Sequence, residues 1–215
     1  MSSPTDNLDS IAKKIRADFL ARDAVREKAL PLCRETIRYC SRAIRAMHRQ
    51  EFVKAKDMLG SAQKLVTEAR QNLDTYSEMQ HPRFLLDAQK EFVEGSVTLA
   101  LITGQRLPDP DELGVDYAAY LNGLGEAVGE MRRYILDSLR KGDQSRGEEL
   151  LQAMDDIYDV LVTMDFPDAI TGGLRHTTDM VRGVLERTRS DLTLAIQQKD
   201  LKDKLEKLNR KGTKS

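Results

Sequence analysis

Apolar residues recur every three or four positions along most of the chain, which is the spacing of amphipathic α-helices. Residues 51–76 are typical, because Phe52, Ala55, Met58 and Leu59 fall on one face of a helix there. The predicted helices cover residues 8–48, 51–76, 82–103, 117–141, 143–166, 171–198 and 199–211. Pro31 is expected to kink or divide the first of them, and GQRLPDPDELGVD at 104–116 is the one clear loop. Six or seven helices with short connections, the last of them a charged tail, predict a single helical bundle.

Composition supports an all-α fold, since helix-forming residues dominate and only 5% of the chain is aromatic. We expect one domain over residues 1–215, with a disordered start at 1–6 and a charged tail at 199–215. The formal net charge of −1 gives no overall basic field, so any nucleic-acid surface must be local. Cys33 and Cys40 match no zinc spacing and are predicted to be reduced core thiols of a cytoplasmic protein. Neither a signal peptide nor a membrane span is indicated.

The third predicted helix carries an acidic stripe on an otherwise apolar surface. On a helical wheel at about 100° per residue, Asp87, Glu91, Glu94 and Thr98 share one narrow face. The rest of this helix is apolar nearly all round, which predicts burial on most sides. The stripe should therefore face a groove, a cavity or a neighbouring subunit.

The fourth predicted helix repeats this arrangement. Its polar face contains Asn122, Glu126, Glu130, Arg133 and Asp137. Gly125 and Gly129 leave a smooth flank where another helix could approach. If the third and fourth helices pack antiparallel, their glutamates could converge, and a cluster of oxygen ligands suits Mg²⁺ or Mn²⁺. The same spacing is also typical of ion-pair ladders on solvated helix faces.

Four stretches then resemble one known family. They are EFVEG at 91–95, YLNGLGEAVGEMRR at 120–133, DSLRKGD at 137–143 and DIYDVLVTM at 156–164. Their order and spacing resemble the translin superfamily, especially its TRAX-like branch (translin-associated factor X), over about residues 83–194. The resemblance implies a seven-helix bundle of translin type that assembles into a hollow octamer. It also implies that a TRAX-type subunit is a Mg²⁺-dependent endoribonuclease acting on single-stranded RNA, whereas a translin subunit binds nucleic acid.

Carried over by this resemblance, the catalytic residues and ligands of Mg²⁺ or Mn²⁺ are Glu91, Glu94, Glu126 and Glu130. Glu126 stands where the TRAX-like branch usually has Asp, and Ala119 replaces the Asp of its D-Y-L stretch. The chain also lacks the basic extension and long inserted loop of eukaryotic members. We therefore expect an archaeal or bacterial homologue that builds its shell as a homo-oligomer.

RNA phosphates require cationic neighbours, and the nucleic-acid-binding candidates are Arg83, His81 and either Arg132 or Arg133, with Arg133 preferred. A surface ion pair is the alternative reading of each arginine. The other histidines, His48 and His176, are predicted to be surface residues. No P-loop, serine-hydrolase or zinc-protease motif occurs.

The leading hypothesis is thus a metal-dependent endoribonuclease that cleaves single-stranded RNA. A non-catalytic, translin-like protein that binds single-stranded RNA or DNA is the alternative. A helical interaction scaffold with neither property is a third possibility, and an RNA assay with Mg²⁺ and with EDTA separates all three.

Overall fold

The computed structural model describes residues 4–74 and 81–212 of the chain, and within them the fold is all-α with no strand. Six long helices and two single-turn helices occur in this part of the chain. They are α1 (Leu8–His48), α2 (Phe52–Leu73), α3 (Arg83–Ile102), α4 (Pro110–Leu113), α5 (Tyr117–Arg140), α6 (Gly147–Thr163), α7 (Asp168–Thr171) and α8 (Leu174–Gly212). The predicted all-α class is confirmed, and the long helices begin and end within a few residues of their predicted limits, except that α8 does not end near residue 198. The predicted end of the second helix at residue 76 lies outside the described residues.

Helices α1 and α2 form a hairpin, but α1 is much longer than its partner. Its buried side chains begin only at Ala29 and continue to Met47, so the first half of α1 extends beyond the bundle. Of the two outcomes predicted at Pro31, a division is wrong, because α1 runs through this proline unbroken, whereas a kink stays a prediction. Proline removes one backbone hydrogen bond, and the packing of Ala29 and Cys33 on either side holds the helix together.

Helix α3 lies at the centre of the bundle and packs against α1, α2 and α5. Phe92, Val93 and Val97 are buried, as are Gly95 and Thr98. The prediction that α3 is covered on most sides is confirmed. Within the acidic stripe, Asp87 is exposed and Glu91 and Glu94 are partly exposed, so this part of the stripe lies along a gap in the packing, whereas Thr98 is buried.

Helix α5 packs beside α3 and runs in the same direction, not antiparallel to it. At one end, the backbone N–H of Asp116 donates to Gln89 Oε1 over 3.2 Å. At the other end, Arg146, which follows α5, donates to the carbonyl of Leu101 over 3.0 Å. The connection of residues 103–116, which contains α4, runs back along α3, whose 20 residues span about 30 Å.

Helices α6 and α8 cover the opposite side of α5. Arg132 joins α5 to α8 through Thr188 and Asp191, the latter at 2.7 Å. The predicted break near residue 198 does not occur, because α8 continues to Gly212 as one helix. Beyond Leu192, the described side chains are mostly exposed, so this part of α8 also extends beyond the bundle. None of the described helices is both long and apolar enough to cross a membrane.

Candidate functional site

Three of the four predicted glutamates meet between α3 and α5. Glu91, Glu94 and Glu126 each place one carboxylate oxygen within 4.8 Å of the other two. All three side chains are partly buried. Among the described residues, this is the group of carboxylate, thiol and imidazole side chains whose spacing fits one metal ion.

A close approach of the two helix backbones creates this cluster. A Cβ atom placed on Gly123 would lie 2.6 Å from Val93 Cβ and 2.8 Å from the carbonyl oxygen of Lys90, so only glycine fits there. Lys90 directly precedes Glu91, and Val93 directly precedes Glu94. This contact therefore packs α5 directly beside the acidic stripe. Gly123 lies three residues before Glu126 and so brings that carboxylate to the other two.

The glycines that the sequence singled out have other roles. Gly125 faces α8, where an added Cβ would collide with Thr177. Gly129 has nothing within 4 Å of such an atom and receives no helix, so that part of the prediction is wrong. The prediction missed Gly123, because a helical wheel shows which face of a helix has small side chains but not which neighbouring helix packs against it.

Burial and mutual repulsion make the cluster costly when it is fully ionised. Desolvation, followed by the charges of Glu91, Glu126 and Glu130, raises the pKa of Glu94 from 4.5 to about 8. Desolvation and the charge of Glu126 also raise the pKa of Glu91. Carboxylates held this way favour a proton or a cation as partner.

One cation is already supplied by the protein. Lys90 Nζ lies 2.6 Å from Glu126 Oε1, and both side chains are less than one-third exposed. When all groups are ionised, three carboxylates and one ammonium leave two negative charges uncompensated. The cluster therefore has two excess negative charges, which one divalent cation would neutralise.

Glu130 lies beside the cluster but has a different partner. Its Oε2 is 2.5 Å from Nε2 of His48, the last residue of α1. His48 was predicted to be a surface residue, and this is wrong, because only 6% of its side chain is exposed. No local pattern in the sequence indicates this contact, since the two residues are 82 positions apart. His176 is exposed, as predicted.

The polar face predicted for α5 is not continuous in the structure. Asn122 is buried and points away from the cluster, because its amide donates to the Thr171 carbonyl and accepts from the Thr177 hydroxyl. It joins α5 to α7 and α8. Asp137, at the other end, is partly exposed and lies 3.9 Å from His48 Nδ1.

The predicted nucleic-acid-binding residues lie at the surface. Arg83 is 94% exposed and stands 4.0 Å from Asp87 at the start of α3. His81 is also exposed, and its Nδ1 lies 3.3 Å from Asp116. Arg133 is half exposed and lies 3.8 Å from Glu130, so it is the candidate that borders the carboxylates.

Both cysteines are free and buried, as predicted. Cys40 lies on α1, which packs against α3, the helix of the acidic stripe. Burial, followed by the charges of Glu91 and Glu94, raises the pKa of its thiol. Cys40 is therefore a neutral, apolar neighbour of the cluster and not one of its charged groups.

Comparison with known proteins places this architecture in a family. No family model matches the chain. The uncharacterized protein MJ0175 of Methanocaldococcus jannaschii is 29% identical over 194 residues, which cover 89% of this chain and 86% of the relative. The structure of the protein AfC3PO in complex with duplex RNA superposes with a TM-score of 0.81 at 33% identity, covering 87% of this chain and 97% of AfC3PO.

Two further structures agree. A crystal structure of AfC3PO alone has a TM-score of 0.76 and 32% identity, covering 89% of this chain and 98% of that one. Apo-NeC3PO shares the fold, with a TM-score of 0.76 at 21% identity and coverage of 90% of this chain and 100% of NeC3PO. The fold, the extent of the match and the identity to AfC3PO together show that this chain belongs to the translin superfamily.

Proposed function

We propose that this protein is a divalent-metal-dependent endoribonuclease that cleaves single-stranded RNA within a homo-oligomeric shell. The observation that carries the proposal is the convergence of Glu91, Glu94 and Glu126 within 4.8 Å, in a partly buried position. A purely structural role would favour solvated carboxylates or one counter-ion for each. Here the repulsion is retained, as the raised pKa of Glu94 indicates.

The donor set fits Mg²⁺ or Mn²⁺. All three groups are carboxylates, which are hard oxygen ligands of the kind these ions prefer. The two uncompensated charges equal the charge of one such ion. Glu91, Glu94 and Glu126 would hold it, and Glu130 would complete the site from its edge.

A divalent cation at this position would offset the charge of a phosphodiester and activate water for attack on phosphorus. The chain's own groups have separate tasks. Lys90 fixes Glu126 by a direct hydrogen bond and limits the total negative charge. Arg133 offers a half-exposed guanidinium next to Glu130, where an RNA phosphate would find a cationic partner. Arg83 and His81 lie further along and would contact the RNA chain away from the scissile bond.

RNA as the ligand class is supported by AfC3PO, which has been observed in complex with duplex RNA and is 33% identical to this chain. The proposal for single-stranded RNA as the cleaved form rests on the TRAX-like pattern of four glutamates. Single-stranded and duplex RNA of the same sequence should therefore be compared in every assay.

Replacing Glu126 by Gln tests the proposal. The change keeps the size of the side chain and removes one ligand charge, so cleavage of labelled single-stranded RNA in Mg²⁺ should fall by at least about 100-fold. Glu68→Gln is the matched control, since Glu68 is exposed on α2 and remote in sequence from the cluster. Cleavage that persists in pure Glu126→Gln protein, or in wild-type protein with EDTA, would refute the assignment.

A non-catalytic protein that binds single-stranded RNA or DNA is the second candidate, and one observation favours it. The short contact of Lys90 with Glu126 already gives the cluster an internal counter-ion. This candidate predicts salt-sensitive binding without turnover in any divalent metal. The same RNA assay, read for both binding and cleavage, separates the two.

The homo-oligomer, an octamer by the family resemblance, is supported by the part of α1 that extends beyond the bundle. Its exposed apolar residues are Leu8, Ile11, Ile15, Phe19 and Leu20. Apolar side chains exposed in succession on one helix are typical of an interface, and a second copy of the chain would cover them. Light scattering of the wild type and of Phe19→Asp measures this, and a monomeric wild type would contradict it.

A further inference from the structure

His48 makes contacts that join α1 to the carboxylates of α5. Its Nε2 lies 2.5 Å from Glu130 Oε2, and its Nδ1 lies 3.9 Å from Asp137 Oδ2. The side chain is 94% buried, since only 6% is exposed. The Nδ1 atom is buried and makes no hydrogen bond. One imidazole therefore stands between two carboxylates that are two turns apart on α5.

This geometry assigns a role to each ring nitrogen. An ionised carboxylate only accepts, so when Glu130 is ionised, as a cation ligand is, Nε2 carries the proton in this short contact. The 3.9 Å separation at Nδ1 is too long for a hydrogen bond to Asp137. His48 thus acts on Glu130 through one directed N–H, which fixes the rotation of that carboxylate.

The backbone that carries His48 is itself well held. Ala46 and Met47 are fully buried, and the N–H groups of Gln50 and Glu51 close the end of α1 on their carbonyls at 2.8 and 2.9 Å. The imidazole therefore projects from a rigid position. A flexible surface histidine would not fix the orientation of its partner in this way.

We propose that His48 is a positioning residue for the carboxylate site, holding Glu130 by its Nε2–H at the edge of the cluster of Glu91, Glu94 and Glu126. The inference rests on the proposed function, because it concerns the same site. Glu130 lies one helical turn beyond Glu126 on α5 and therefore borders that cluster, and its charge also contributes to the raised pKa of Glu91 and Glu94. Arg133 contacts the same oxygen of Glu130 from the solvent side at 3.8 Å, so Glu130 is held from two directions.

The expected effect follows from what such hydrogen bonds do elsewhere. Removing a group that orients a metal-binding carboxylate costs about 10- to 100-fold in metal affinity or activity. His48→Ala should therefore weaken Mn²⁺ binding by that factor. His48→Gln should keep affinity close to the wild-type value, because its amide Nε2 can donate from nearly the same place. His176→Ala is the control, since His176 is exposed on α8.

The experiment is a titration of the metal-free, full-length protein with Mn²⁺, followed by calorimetry or by the EPR signal of free Mn²⁺. Thermal unfolding in EDTA is recorded for each variant, and RNA cleavage is measured as a second reading. Weak binding by His48→Ala, with binding restored in His48→Gln and unchanged in His176→Ala, supports the proposal. If His48→Ala does not fold, His48→Gln alone decides, because loss of Mn²⁺ binding in a folded Gln variant contradicts a role as donor.

Two results would overturn the inference while leaving the proposed function intact. One is wild-type affinity in His48→Ala, and the other is equal loss in the Ala and Gln variants. A Glu94→Gln variant distinguishes these two results from the case in which the protein has no metal site at all. If wild type and Glu94→Gln both fail to bind Mn²⁺, the metal site is absent and the inference about His48 is overturned with it.

Discussion

Replacing Glu94 by Gln should stabilise the metal-free protein, although the residue belongs to the candidate active site. The pKa of Glu94 is raised to about 8, because this residue is buried and lies among negative charges. Gln has nearly the same shape as the protonated acid and cannot ionise. The substitution therefore removes the electrostatic cost without opening a cavity.

The magnitude follows from the two pKa values. The folded protein binds a proton at Glu94 up to about pH 8, whereas the unfolded chain releases it near pH 4.5. Because the folded state binds more protons between these values, the free energy of unfolding falls as pH rises from 4.5 to 8. Each pH unit in this window contributes about 1.4 kcal/mol, so the loss is about 3 kcal/mol at pH 7 and at most about 5 kcal/mol above pH 8.

Urea unfolding in EDTA at a fixed protein concentration measures this, at pH 5, 7 and 8.5. The difference in unfolding free energy between Glu94→Gln and wild type should grow with pH by several kcal/mol. Glu68→Gln, at an exposed site, should follow the wild type at every pH. If the difference in unfolding free energy between Glu94→Gln and wild type is the same at pH 5 and pH 8.5, ionised Glu94 does not destabilise the folded protein, and the reasoning is refuted.

Addition of Mn²⁺ completes the test. A cation that binds only the folded state stabilises it by about 2.7 kcal/mol at a concentration of 100 times its dissociation constant. Wild type should gain this stability above pH 7, and Glu94→Gln should gain little because one ligand charge is missing. Equal gains would show that Mn²⁺ binds elsewhere.

Three further predictions concern the same site. Gly123→Ala should destabilise the protein by about 1–3 kcal/mol in urea unfolding and weaken Mn²⁺ binding, because its Cβ would overlap Val93. Gly129→Ala should instead stabilise the protein by about 0.5–1 kcal/mol through helix propensity, because the added Cβ would enter open space. Equal effects of the two would contradict the close approach of α3 and α5. Mn²⁺ binding at pH 7 should release about one proton, and the Mn²⁺ affinity should rise with pH up to about 8, because the cation replaces the proton on Glu94. Calorimetry in buffers of different ionisation enthalpy measures the number of protons released. Binding without proton release would place the ion elsewhere. Arg133→Ala should weaken RNA binding and lower its salt dependence by about one counter-ion. Arg182→Ala should leave RNA binding unchanged, because Arg182 is an exposed arginine paired with Asp179 on α8. Equal losses of affinity in the two variants would mean that RNA binding is spread over the surface.

The helices and the acidic stripe could be read from the chain because both are local patterns. Apolar spacing in residues 83–102 predicts a helix buried on most sides, and the same wheel aligns Glu91 with Glu94. The absence of a division at Pro31 shows the limit of local rules, since packing on both sides of the proline outweighs one lost hydrogen bond. The continuous α8 shows the same limit, because charge alone does not end a helix.

Local spacing was enough to predict the helical class, the limits of most helices and the placement of two pairs of glutamates on single faces, because these depend on residues three or four positions apart. Only the tertiary structure decided that α3 and α5 run in the same direction, since that depends on the path of residues 103–116. It also decided that Gly123 is the point of close contact and that His48 reaches Glu130 across 82 positions. These contacts arise from the fit of distant surfaces, and a pattern of local spacing contains no information about such a fit.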